Sequence, residues 1–190
     1  MRFYPDNFYH IYNRGINQQQ IFFQQRNYEF FVSKIVSEIK PTCEIIAYCL
    51  MPNHFHLLIY VDAKSIGLNE IQNQQVLTRK LGTLQSSYTQ AINKQENRTG
   101  SLFQQKCKAK IIENSVNTCF HYIHQNPLKA RLVIKLEDWE YSSFGSYLNN
   151  NYRICNLSLA RELIELEVNP HQFYKESYLL IEDVYLQKII

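Results

Sequence analysis

Along this chain, apolar and polar positions follow two rhythms, one of period two and one of period near 3.6, and their order outlines a fold. Phe8 to Asn13 is aromatic and alternating and stops at Arg14-Gly15, which predicts a first strand. Tyr28 to Ile39 carries Phe30, Phe31, Ile35, Val36 and Ile39 at helical spacing, and Lys40-Pro41 closes it. Cys43 to Leu50 predicts a second strand, and Pro52-Asn53 links it to a third. That third run, Phe55 to Val61, is dense in aromatic, aliphatic and β-branched residues and too short for a stable helix. Asp62 to Gln75 is polar, with an Ile66-Gly67 break, and reads as loop. Val76 to Asn93 places Val76, Leu77, Leu81, Leu84, Tyr88, Ala91 and Ile92 on one helical face. After the apolar-free loop Asn93 to Gly100, strand character resumes over Leu102 to Ile112. Val116 to Asn126 then reads as a helix that Pro127 ends.

The order is β-α-β-β-α-β-α. Its first six elements are the split βαβ pattern of a ferredoxin-like fold, an α+β class with an antiparallel sheet and two helices on one face. From about residue 150 the character changes. Leu157 to Val168 is a charged amphipathic helix, Asn169-Pro170 a break, and Phe173 to Ile190 a second helical stretch. The expected organisation is a domain over 1–150 and a C-terminal helical extension over 151–190.

Composition narrows the class. Hydrophobic residues make up 45% of the 190 positions and charged residues 19%, so the bulk is globular and not disordered. A formal net charge of +3 permits an anionic partner without demanding one, so a nucleic-acid surface would have to come from local clustering. The five cysteines are odd in number, form no C-x-x-C pair, and four of them sit in apolar patterns, which argues for a reducing compartment. No signal-type apolar core opens the chain and no run reaches membrane-spanning length, so a cytoplasmic protein without membrane contact is expected.

Candidate chemistry concentrates in Leu50-Met51-Pro52-Asn53-His54-Phe55-His56-Leu57-Leu58. On a strand His54 and His56 point one way and Phe55 the other, so two imidazoles whose Cα atoms are about 7 Å apart could chelate one divalent metal. An isolated His-x-His also fits two half-buried polar residues near a strand start. In His121-Tyr122-Ile123-His124-Gln125-Asn126-Pro127 each residue turns about 100° on a helix, which puts Asn126 on the face of Tyr122 and turns His121 and His124 away. Taken alone, the same residues fit a packed aromatic and a helix terminator. Lys106, Lys108 and Lys110 alternate with Cys107, Ala109 and Ile111; the stripe suits backbone contact with single-stranded DNA and equally an edge strand guarded against aggregation. Arg14, Lys129 and Arg131, with Arg79 and Lys80, are further cationic candidates. No Gly-rich phosphate cradle is visible.

Together, Leu-Met-Pro-Asn-His-Phe-His-Leu-Leu, the Tyr12 to Gly15 run Tyr-Asn-Arg-Gly, and Tyr-Ile-His-Gln-Asn-Pro resemble the Y1 single-tyrosine (IS200-like) transposases of the HUH endonuclease group. They look most like those associated with repetitive extragenic palindromes (REP). The resemblance covers residue 8 to about 148 and says nothing of the last 40 or so residues. It implies His54 and His56 as a metal pair, Asn126 as a third ligand, Tyr122 as nucleophile and Mg²⁺ or Mn²⁺ as the ion. Two imidazoles and an amide oxygen would also suit Zn²⁺ by ligand type. The implied activity is cleavage and rejoining of single-stranded DNA near hairpins through a 5′-phosphotyrosine. It leaves open a homodimer, since related insertion-sequence enzymes work as dimers. A domesticated DNA or RNA hairpin-binding protein without turnover, and a metal-dependent phosphodiesterase, are the rival readings.

Overall fold

A computed structural model describes residues 1–63, 68–69, 74–179, 181, 186–187 and 189. Most of the polar 62–75 stretch and the last part of the expected 173–190 helix lie outside the described residues.

Four strands form one antiparallel sheet: β1 (Asn7–Arg14), β2 (Glu44–Met51), β3 (His54–Val61) and β4 (Lys108–Ile112), in the order β2-β3-β1-β4. Helix α1 (Gln25–Lys34), which widens into a π-turn over Ile35–Ile39, joins β1 to β2, and α2 (Val76–Gln95) precedes β4. This is the ferredoxin-like arrangement that the residue pattern predicts. Helices α1 and α2 pack on one face, where Phe55 lies 5.0 Å from Phe31 and Phe103 lies 6.0 Å from Tyr88 between ring centres. The opposite face carries α3 (Val116–Lys129), whose Tyr122 ring stands edge-on to His56 at 5.7 Å.

Two boundaries differ from expectation, each for a local reason. Pro127 does not end α3; the helix runs on to Lys129. A helical residue 127 would donate its N–H to the Ile123 carbonyl, and proline cannot. The Asn126 side chain covers that gap, its Nδ2 donating to the carbonyls of Tyr122 (2.8 Å) and Ile123 (3.4 Å). Strand β4 starts at Lys108 and not at Leu102, so Lys106 precedes the ladder. Phe103 makes only an isolated bridge, to Gly15. That bridge depends on glycine, because a Cβ at position 15 would sit 2.1 Å from the Gln19 carbonyl oxygen.

Beyond the sheet, 141–143 runs along the outer edge of β2, with Leu50 N–H donating to Tyr141 O and Ser143 N–H to Tyr48 O, both at 2.9 Å. Paired this way, that edge offers no free ladder. Helices α4 (Phe144–Leu148), α5 (Leu157–Ile164) and α6 (Pro170–Ser177) follow. Phe173 of α6 packs against Phe120 of α3, Phe144 and Tyr147, and Gln125 Nε2 donates to the carbonyls of Ser177 and Leu179. Among the described residues no helix is long and apolar enough to cross a membrane.

Candidate functional site

Strand register assembles the site. Across the face under α3, one row reads Lys108, Tyr12, His56, Cys49 and a second Arg14, His54, Met51. Side chains alternate, so Ile11, Phe55 and Leu57 go to the other face with the apolar core. The row residues Tyr12, Arg14, His54, His56 and Lys108 meet Tyr122 and Asn126 of α3 around a cavity of about 490 Å³. A larger groove, about 980 Å³, runs between α2 and the 100–109 segment. Its walls mix amides and hydroxyls with Leu81, Phe103, the Cys107 thiol and Lys106 and hold no imidazole, whereas the smaller cavity brings two imidazoles and two phenols together.

Both histidines are oriented through Nδ1. His54 Nδ1 lies 2.6 Å from Asn53 Oδ1, which can only accept, so that nitrogen carries the proton and Nε2 keeps its lone pair. His56 Nδ1 lies 2.8 Å from Nε2 of a third histidine, His10, whose Nδ1 is 2.5 Å from the Ile189 carbonyl oxygen. His56 Nε2 is buried and has no hydrogen-bond partner. The imidazole rings of His54 and His56 stand at right angles, 4.9 Å between centres. Burial holds all three rings neutral: His10 and His54 are pushed down to about 4 and His56 well below its usual value, with the Arg14 guanidinium adding to the effect on His54 and His56.

Asn126 has its amide nitrogen turned to the α3 carbonyls, and since carbonyls accept, its Oδ1 is the atom left for other partners. Tyr122 is 8% exposed, and burial raises its phenol above the ordinary value while a hydrogen bond with Asn126 and the charge of Arg14 pull the other way. Lys129 Nζ sits 5.5 Å over the Tyr122 ring and Lys108 Nζ 5.5 Å over that of Tyr12.

Other expected cations lie apart. Lys106 lines the larger groove, Lys110 Nζ donates to the Gln187 carbonyl at 2.7 Å, and Arg131 is exposed beyond α3 with a left-handed φ of 57°. The three-lysine stripe is therefore split, and only Lys108 reaches the cavity. Of the downstream tyrosines, Tyr141 stacks on Tyr28 at 3.8 Å and Tyr147 donates its hydroxyl to Ile46 O, both away from the histidines. The second tyrosine at the cavity is Tyr12, 6.0 Å from His56 between ring centres. His121 and His124 are buried, with His124 Nε2 2.7 Å from Ser143 Oγ.

Among the described residues no group of three or more His, Cys, Asp or Glu could hold a metal. The donor set on offer is thus two imidazoles and one amide oxygen. It fits a divalent ion: the unpartnered His56 Nε2, the bare His54 Nε2 and the freed Asn126 Oδ1 are lone pairs, all neutral. His10, Asn53 and Tyr12 were not separable from ordinary strand and turn residues by sequence. His10 and Tyr12 share a period-two face with the cavity, but only the β1–β3 register reveals it.

No family model matches the chain. Over 125 residues, covering 60% of this chain and 69% of the other, it is 29% identical to a Haemophilus influenzae protein named as a REP-associated tyrosine transposase. In sequence the chain resembles the REP-associated tyrosine transposases. A solved structure of such a transposase, bound to a REP hairpin, superposes with a TM-score of 0.60 over 78% of this chain and 84% of that one, at 17% identity. That likeness speaks for a shared fold.

Proposed function

We propose that the chain is a metal-dependent, single-tyrosine DNA transposase that cuts and rejoins single-stranded DNA beside a hairpin. The carrying observation is one cavity in which two bare imidazole nitrogens, an amide oxygen and a phenol converge. Its relatives support the substrate class: one is named as a REP-associated tyrosine transposase, and the solved one is bound to a REP hairpin.

In this reading His54, His56 and Asn126 would hold Mg²⁺ or Mn²⁺. The neutral donor set favours Mn²⁺, since Mg²⁺ is usually bound through carboxylates. The ion would neutralise the scissile phosphate and polarise its phosphorus. The Tyr122 oxygen attacks phosphorus and gives up its proton, while the 3′-oxygen leaves and gains one. The products are a 5′-phosphotyrosine and a free 3′-OH. A second 3′-OH reverses the step, so rejoining needs no nucleotide cofactor. Lys129 and Arg14 sit where they favour the phenolate, and Lys108 offers its charge to the DNA backbone. One chain supplies every residue named, so this reading requires no dimer.

The test uses purified protein, Mn²⁺ and labelled single-stranded hairpin oligonucleotides on a denaturing gel, with Tyr122→Phe alongside. A metal-dependent covalent band that the variant lacks is expected. Tight binding without a band in either protein would replace this reading with the silent hairpin binder.

A further inference from the structure

Behind the two expected ligands lies His10, which no expectation from sequence included. It is fully buried, lies nearly parallel to the His56 ring with centres 5.0 Å apart, meets it edge to edge through nitrogen, and uses both ring nitrogens. From these contacts we infer that His10 is a positioning residue: it relays the polarity of the Ile189 carbonyl to His56, fixing the tautomer that leaves Nε2 bare for the metal. This inference rests on the metal reading proposed above.

The argument is one of donors and acceptors. A backbone carbonyl can only accept, so His10 Nδ1 must carry hydrogen. A neutral imidazole has one N–H, which makes His10 Nε2 an acceptor. Buried between His56 and the Lys110 strand, the ring meets no carboxylate among the described residues that could support a second proton. His56 Nδ1 must therefore donate, and the only nitrogen left with a lone pair is the one without a partner, Nε2. Reversing the relay would put an N–H on the cavity side, where it would repel a cation. The device differs from the one on His54, which a neighbouring side chain, Asn53, fixes in a single step. Here the fixed end is a backbone atom near the C-terminus, in a segment also held by Lys110 Nζ through the Gln187 carbonyl. The 151–190 extension thus contributes an atom to the positioning of a residue 133 positions earlier in the chain.

The test begins without metal. ¹⁵N-histidine NMR of the full chain should show His56 and His10 each protonated at Nδ1 and bare at Nε2. Mn²⁺ titration by calorimetry then compares wild type, His10→Phe, which keeps an aromatic ring but neither nitrogen, and His10→Gln, whose amide can accept from His56 and donate to Ile189. Loss of an outer-shell partner of a ligating histidine typically weakens metal binding by about 10–100-fold. His10→Phe should show that loss together with a shift of the His56 proton toward Nε2, and His10→Gln should recover most of both. A wild-type His56 protonated at Nε2 would overturn the inference, as would unchanged Mn²⁺ affinity and tautomer in a folded His10→Phe. Should His10→Phe not fold, the wild-type spectrum and His10→Gln still decide. Wild type with the expected tautomers but no Mn²⁺ uptake would sink the metal reading itself, and the purpose assigned to His10 with it.

Discussion

The two faces of the sheet are cut from the same strands and treat burial in opposite ways. Under α1 and α2, Ile11, Phe55 and Leu57 need nothing but volume, and Phe31, Tyr88 and Phe103 supply it. Under α3, one residue along, His10 and His56 are also withdrawn from water and Tyr12 and His54 partly so, and here each imidazole nitrogen needs an assigned partner. His56 Nε2, which lacks one, belongs to a residue lining the cavity. His121 Nδ1 and His124 Nδ1 of α3 also lack partners but line no part of that cavity, so it is the orphan at the cavity wall that marks a place where something else can bind. Burial alone does not distinguish the faces; hydrogen-bond accounting does.

The sharpest way to break the contrast is at the proposed nucleophile. Tyr122→Phe removes one oxygen, and the expected loss of strand cleavage is on the order of 10⁴-fold or more, read from single-turnover rates. Tyr12→Phe, the other tyrosine at the cavity, should still form the covalent adduct; adducts lost with Tyr12→Phe and kept with Tyr122→Phe would exchange their roles. Next come adjacent residues on opposite faces. Phe55→Ala should cost about 3–5 kcal/mol of stability in urea unfolding. His54→Ala should remain folded and lose Mn²⁺ binding by calorimetry. Equal destabilisation by both would mean the faces do not differ as described.

Acid gives a smaller and more gradual effect. In the folded chain burial holds His10, His54 and His121 down to about 4 and His124 to about 3, against 6.5 ordinarily. As pH falls from 6.5 toward 4, the unfolded chain takes up protons that the folded chain refuses, so these groups lower stability progressively. Above 6.5 both states are neutral and they contribute no slope. Each histidine can contribute at most about 1.4 kcal/mol per pH unit, and urea midpoints between pH 7.5 and 4.5 would show the bend. The smallest expected effect is electrostatic. Lys108→Ala should weaken single-stranded DNA binding and reduce its salt slope by about one, whereas Lys106→Ala, in the other groove, should leave contacts at the cavity intact.

Alternation carried most of this architecture in plain sight. Ile11, Leu57 and Tyr88 announce strand and helix faces, and the split βαβ order follows from them. His54 and His56 were legible as a same-face pair for that reason, and Tyr122 with Asn126 because four residues make roughly one helical turn. Long-range register was not legible. That Tyr12 faces His56 and that His10 stands behind it depend on pairings across more than 40 residues, which no local rhythm encodes. Lys106 was misplaced because strand-like composition continues before the ladder begins. Pro127 misled because a side chain, Asn126, covers the carbonyl that proline leaves bare.

Strand β1, first in the chain, lies in the middle of the sheet, flanked by residues 54–61 and 108–112. A chain emerging from the ribosome can close one side of β1 once residue 61 is out, but must wait for residue 112 to close the other. The Tyr122 phenol follows ten residues later, and the Ile189 carbonyl that contacts His10 another 67 after that. A nascent chain can therefore hold its aromatic core together before Tyr122 and the Ile189 carbonyl have joined the cavity face. The order of translation thus acts as a timer in which the apolar face closes first and the cavity face is completed later.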